Sequence, residues 1–255
     1  VWAEEGARGG LEEFSYRTDL DDEATFSMEG HARLNSEDFG IALNYHKEGL
    51  GFFRAGYSQF SKYFDDTGGF YEPFADPSFD LDQDLELDIG AAFLEAGLSL
   101  EGWPELLLSY EHRFKDGQKS LSGWGAVTQA GLTRNIHPTF KSVDESLDRV
   151  TVQAEHTIDK VRLYDQLRYE HFEGDTTRHE RARDLDAGTA QDVTVVEDRK
   201  SDSLFNTFHS EVAFSETLFA SAGYLYSWYE GDADFDMHTV PFTNPFDKNW
   251  SASRV

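Results

Sequence analysis

Ala24-Thr25-Phe26-Ser27-Met28-Glu29-Gly30-His31-Ala32-Arg33-Leu34 decides the fold class. Its even positions are apolar or small, and its odd positions are Thr, Ser, Glu, His and Arg. A period of two places successive side chains on opposite sides of an extended chain. The stretch is therefore a β-strand with one apolar and one polar face. Downstream, Phe39, Ile41, Leu43 and Tyr45 alternate with Asp38, Asn44 and His46. Gly49-Leu50-Gly51 then supplies a tight turn, and Phe53, Ala55 and Tyr57 return opposite Arg54 and Ser58.

The same pattern recurs along the chain. From Leu85 to Leu100 the apolar face switches from odd (Leu85, Leu87, Ile89, Phe93) to even (Leu94, Ala96, Leu98), which predicts a one-residue bulge near Phe93. That phase puts Glu86 and Asp88 on the inward side. Glu101-Gly102-Trp103-Pro104 turns the chain, and Leu106, Leu108, Tyr110 and Phe114 alternate with polar residues on the way back. Val150, Val152, Ala154 and Ile158 mark another strand, followed by a turn at Asp159-Lys160 and a strand to about Phe172. A last hairpin turns at Ser215-Glu216-Thr217 before Leu218, Ala220, Ala222, Tyr224, Tyr226 and Trp228.

The connections alternate in length. Short turns fall at 49–51, 101–104, 159–160 and 215–217, and long loops are expected at about 64–84, 116–146, 173–201 and 231–249. Short turns at one end and long connections at the other are the layout of an antiparallel up-and-down transmembrane β-barrel in a bacterial outer membrane, with the long loops extracellular. About ten strands are visible in residues 1–255, which read as a single segment of a larger barrel, an internal or processed piece. No run of about 18 apolar residues offers a membrane helix, and mean hydropathy is −0.58. Barrel strands need only ~10 residues each, with every second one apolar.

Composition narrows the function. There are 49 Asp and Glu against 22 Lys and Arg, a formal net charge of −27, so no basic face exists to neutralise nucleic-acid phosphates. Yet 21 Phe, 11 Tyr and 5 Trp must be buried or anchored, which separates the chain from acidic disordered sequences. Tyr45, Trp103, Tyr169, Tyr226 and Trp228 suit interfacial girdles. With no cysteine, the chain makes no disulfide and attaches no haem covalently. None of the 9 histidines stands in a His-Glu-x-x-His spacing, so no enzymatic site is expected. Asp80, Asp82 and Asp84 share one side of an extended run and form a weak Ca²⁺ candidate, without the glycine and distal glutamate of an EF-hand loop. Phe26, Met28, Ile41, Leu43, Leu108 and Val152 are expected to face lipid. Glu29, His31, Arg33, Arg54, Glu111, Arg113, Arg149 and Glu155 are expected to line the lumen. Charges of both signs on that wall require a hydrated or protein-filled interior.

The runs Leu34-Asn35-Ser36-Glu37-Asp38-Phe39-Gly40, Gly49-Leu50-Gly51-Phe52-Phe53-Arg54, Phe60-Ser61-Lys62-Tyr63-Phe64-Asp65-Asp66-Thr67-Gly68-Gly69 and Tyr110-Glu111-His112-Arg113-Phe114-Lys115-Asp116-Gly117-Gln118-Lys119-Ser120 resemble the decahaem-associated outer-membrane barrels of the MtrB/PioB type. The resemblance implies a barrel in the outer membrane of a Gram-negative cell. It would sheathe a multihaem c-type cytochrome, with haem carried only by that partner, and would contact membrane lipid and lipopolysaccharide. A water-filled, cation-favouring porin is the alternative use of the same wall.

Overall fold

A computed structural model describes residues 9–66, 81, 83–184, 186–215 and 217–242. The chain is all-β and antiparallel, a ten-stranded up-and-down sheet in which each strand bonds to its sequence neighbours. The strands are β1 (Gly10–Asp19), β2 (Ala24–Arg33), β3 (Asp38–Lys47), β4 (Gly51–Tyr63), β5 (Glu86–Leu98), β6 (Glu105–Gln129), β7 (Leu132–Ile158), β8 (Val161–Asp184), β9 (Thr189–Ser215) and β10 (Leu218–Phe242). A single 3-10 turn at Leu34–Ser36 joins β2 to β3, with Glu37 held at a left-handed φ of 46°. Among the described residues β1 and β10 do not pair, so each keeps a free hydrogen-bonding edge.

Register carries the two-face pattern across the sheet. Phe26 pairs with Tyr45, Tyr45 with Phe53, Phe53 with Ala96, Ala96 with Leu108, Leu108 with Val152 and Val152 with Leu167. Directly opposed residues share a face. Phe26, Met28, Ile41, Leu43, Leu108 and Val152 therefore lie on one side, the outer face. Glu29, His31, Arg33, Arg54, Glu111, Arg113, Arg149 and Glu155 lie on the other, the inner face. β1, which has only a broken alternation in sequence, joins the outer face through Tyr16 opposite Met28 and Thr18 opposite Phe26.

The phase switch expected near Phe93 takes a different form. β4, β5 and β6 stay in continuous register from Glu86 to Leu98, with no bulge. Leu87, Ile89 and Phe93 consequently lie on the inner face, and Glu86 and Asp88 lie on the outer one. Glycine makes room for this. A Cβ on Gly56 would come within 2.4 Å of the Phe93 ring, so the ring lies over the bare backbone of the neighbouring strand.

The expected long loops at 116–146 and 173–201 are strand. β6 and β7 continue to a tight turn at Ala130–Gly131, and β8 and β9 continue to a turn that ends at Gly188, both glycines having positive φ. Residues 231–242 of the fourth expected loop extend β10, and the remainder lies outside the described residues. Of 64–84, residues 67–80 and 82 lie outside them too. The polar alternation of these stretches concealed the strands. Where both faces meet water, neither need be apolar, yet ladder hydrogen bonding continues. β6 to β10 are 24 to 27 residues long against 10 to 13 for β1 to β5, so one side of the sheet rises far above the other.

The tall strands are clasped at their upper ends. The Asp186 carboxylate accepts hydrogen bonds from the amides of Ala130 and Gly131, at 2.8 and 2.7 Å. β6 also bonds to β8 in parallel, Val127 with Arg183 and Thr128 with Asp184. β6, β7 and β8 thus close on one another near the tip, where Val127 is 1% exposed and His137 and Thr139 are buried. Phe140 packs with Leu81 and Leu85, with Phe64 against them.

Candidate functional site: the two faces of the wall

The outer face is mainly apolar over a limited height, interrupted by His156 of β7 and by Asp165 of β8, which accepts a hydrogen bond from Asn206 of β9 at 2.9 Å. On β7 the belt runs from Ile158 to Val150, on β10 from Ala220 to Trp228, and on β3 from Tyr45 to Phe39. Each segment spans roughly 20–27 Å of strand. That height matches an apolar band of about 25 Å. From β3 to β10 the belt slides by several residues relative to the hydrogen-bonded ranks, as it must when tilted strands cross a level slab. Tyr45, Tyr169, Tyr226 and Trp228 lie on this face, whereas Trp103 sits in the lower turn, 67% exposed.

At the upper border of the belt stands a repeated arrangement. Tyr110-Glu111-His112 on β6 and Tyr169-Glu170-His171 on β8 hold the same register positions. On the outer face, Asp148 of β7 accepts a hydrogen bond from the Tyr110 hydroxyl at 2.6 Å and bonds to His112 Nδ1 at 2.8 Å. Asp202 of β9 does the same for Tyr169 and for His171 Nδ1, the latter at 2.8 Å. On the inner face, one residue along each strand from these histidines, Glu111 and Glu170 both bind Arg149, at 2.9 and 2.7 Å. Arg113 joins Glu111 at 2.7 Å, and Arg168 lies 3.5 Å from Glu170. Each triplet thus fastens both faces to the neighbouring strands. The duplicated Tyr-Glu-His is visible in the sequence, and it is the signal by which these groups could have been found.

Other inner-face residues are paired as well. His31 and Arg33 share Asp38 at 2.7 and 2.6 Å, Arg54 meets Glu95 at 3.2 Å, and Glu155 receives Arg162 at 2.7 Å. These paired charges offset one another at this height of the wall. β10 differs. Its inner face, from Phe219 through Ser221, Gly223, Leu225, Ser227, Tyr229, Gly231, Ala233 and Phe235 to Met237, carries no charge. Phe219, Leu225, Tyr229, Phe235 and Met237 there are 58% to 75% exposed.

Above the belt the outer face turns acidic in an ordered way. Asp88, Asp116, Asp144, Asp175, Asp198 and Asp234 stand directly opposite one another on β5 to β10, one aspartate per strand. Burial, with Asp198 beside it and Asp144 on the other flank, holds the Asp175 carboxyl above its ordinary range. One rank lower, the Lys200 ammonium holds Glu173 below the carboxylate range across a 3.0 Å contact.

For a cation, the structure offers a different triad from the one expected. Asp80 and Asp82 lie outside the described residues, and Asp84 is exposed. Glu37, Glu86 and Asp88 bring one oxygen each within 4.8 Å of one another. Ser61 donates a hydrogen bond to Asp88 beside them, and Glu86 Oε1 is buried without a partner.

No protein-family model matches the chain, and no curated protein does. Among solved structures, a loop L8 deletion mutant of OmpT, an outer membrane protein of Vibrio cholerae, aligns over 93% of this chain and 94% of its own. The two share 12% identity with a TM-score of 0.20, a likeness too distant to bear on the function of this chain.

Proposed function

We propose that the chain is part of the wall of an outer-membrane β-barrel that sheathes a lumenal protein, a multihaem c-type cytochrome, and so forms the insulating half of an electron conduit. The apolar belt, its aromatic border and the polar inner face support the membrane placement. In this reading outer-membrane lipid touches the belt, and lipopolysaccharide surrounds the acidic rank above it. The chain supplies no electron carrier. It excludes lipid and positions its occupant.

The observation that favours an occupied lumen over a water-filled one is the charge-free inner face of β10. Five large apolar side chains, Phe219, Leu225, Tyr229, Phe235 and Met237, line this face along the length of β10. Such a strip facing bulk water would be costly, whereas against a folded protein it becomes contact surface. The mutual pairing of Arg33, Arg54, Arg149 and Arg162 with acids at belt height agrees with a sheath more than with an ion filter.

The test is purification of the full-length protein from its native membrane in mild detergent. A haem-staining partner should accompany it and resist protease until the barrel is disrupted. Haem-free material giving steady, cation-selective single-channel steps in a planar bilayer would refute the sheath and leave the porin.

A further inference from the structure

Lys119 of β6 is paired directly with Lys141 of β7, and Lys141 with Arg178 of β8. All three share the inner face of the tall hairpins, well above the apolar belt, where β6 and β8 close toward each other. Three cations on adjacent strands at ~4.8 Å spacing are mutually repulsive. In a chain with 49 carboxylates, only Arg178 of this rank has an acid within 4 Å among the described residues, Glu180 beside it. Lys47, Lys115 and Lys200 each have a carboxylate within 4 Å, and Lys62 lies over the Phe64 ring. Lys119 and Lys141 have no such carboxylate among the described residues. The nearby acids are already engaged. Glu145 binds Lys115 at 3.0 Å and approaches Arg199 at 3.6 Å, Glu197 binds Arg199 at 3.3 Å, and Glu180 takes Arg178 at 3.0 Å.

The rank is also recessed. Val143 and Thr176 in the rank below and Thr139 in the rank above are buried, and Val195 beside Arg178 is 5% exposed. The three cations themselves are half-buried. Burial, then Lys119 alongside, pushes the Lys141 ammonium below its ordinary range, against the opposing pull of Glu145 and Glu197.

We infer that Lys119, Lys141 and Arg178 form a binding site for a small oxyanion of the phosphate class at the inner face of this tower. Two lysines on flexible four-carbon stems supply converging point charges, and the arginine supplies a planar fork of donors. A tetrahedral dianion can accept from all three and removes the repulsion between them. The inner face is turned away from the lipid side, so the ligand is the free anion and not a lipid headgroup. The site does not depend on whether the lumen holds a cytochrome or water.

The test uses full-length protein in micelles free of lipopolysaccharide, with thermal unfolding followed against inorganic phosphate at constant ionic strength. At about 10 mM phosphate and a Kd on the order of 1 mM, Tm should rise by about 2–5 °C. The double variant Lys119→Gln/Lys141→Gln should lose this rise. Without phosphate it should melt no lower than the parent, because only repulsion has been removed. Lys62→Gln should keep the full response. The inference is overturned if phosphate leaves the parent unchanged, or if the double variant responds as the parent does. It is overturned equally if only lipopolysaccharide, and not inorganic phosphate, produces a shift that the double variant abolishes.

Discussion

Leu108→Arg against Leu107→Arg tests the two-face reading at a single point on the wall. Leu108 sits on the outer face of β6 between Ala96 and Val152, with Leu106 and Tyr110 along the strand. An arginine there meets only apolar neighbours. Toward the upper end, the first carboxylate on that face of β7 is Asp148, opposite His112, about 13 Å farther along the strands. A guanidinium stem reaches roughly half that distance, so snorkelling neutralises the charge incompletely. The expected cost of Leu108→Arg is ~3 kcal/mol, within the ~2–4 kcal/mol typical of the bilayer midplane. Leu107 is the adjacent residue, faces inward, and is opposed by Gln153 and Gly97. Its replacement by Arg should cost less than ~1 kcal/mol. Urea unfolding of full-length protein in liposomes reads the difference. Equal costs for the two variants, or the larger cost at Leu107, would show that the outer face does not contact lipid.

Arg149→Met removes the cation shared by Glu111 and Glu170, and at ~1.5–3 kcal/mol per charge-assisted bond, partly offset by Arg113 and Arg168, it should cost about 2–3 kcal/mol in the same assay. Lys115→Met at the more exposed Glu145 pair should cost under ~1 kcal/mol. Asp175→Asn should stabilise by ~0.2–1 kcal/mol near pH 7. Because the folded carboxyl titrates above its unfolded value, its penalty is complete only above the folded pKa and vanishes below the unfolded one, so the gain should disappear at about pH 3. Asp186→Ala deprives the Ala130 and Gly131 amides of their acceptor and should raise hydrogen exchange at the tips of both tall hairpins, with unchanged exchange at Val150 to Ile158. Protease added to intact cells should cut at the hairpin tip near Gly188 and spare Asp159–Lys160; the reverse pattern would invert the proposed orientation.

How much of the wall was legible in the sequence depends on where each strand sits. In the belt, one face meets hydrocarbon and the other does not, so Phe26, Met28, Ile41 and Leu43 had to alternate with polar residues. Those strands and their turns at Gly49, Gly102 and Asp159 follow from the residues alone. Above the belt that constraint lapses. Nothing in Asp175-Thr176-Thr177-Arg178 distinguishes a strand from a polar loop, and only pairing with Asp198-Glu197-Val196-Val195 on β9 does so. β5 fails for a related reason. Its inner face is locally apolar because Phe93 covers Gly56, so apolar character stopped reporting the outer face and suggested a bulge that the backbone does not contain.

Register also explains why the ordered charge ranks could not be read in one dimension. Asp144 and Asp175 are neighbours only because the short turn at Asp159–Lys160 sets Ile158 opposite Val161, and every later pair of β7 and β8 inherits that alignment. A one-residue change in that turn would send Asp175 and Arg178 to exchange faces with their neighbours, dissolving the outer aspartate rank and the inner cation rank together. The same turn fixes Arg149 opposite Glu170 and Asp148 opposite His171. A residue inserted between Asp159 and Lys160 can keep the belt of β8 on the lipid side only by bulging locally. If it cannot, Leu167 and Tyr169 turn inward and the polar set Arg168 and Glu170 meets hydrocarbon. Apolar burial in the belt therefore enforces the register of residues some ~30 Å above it, where no apolar pattern exists to enforce anything. The membrane-height segment and the short turns below it set the alignment, and the tall hairpins carry that alignment into water as ranks of charge.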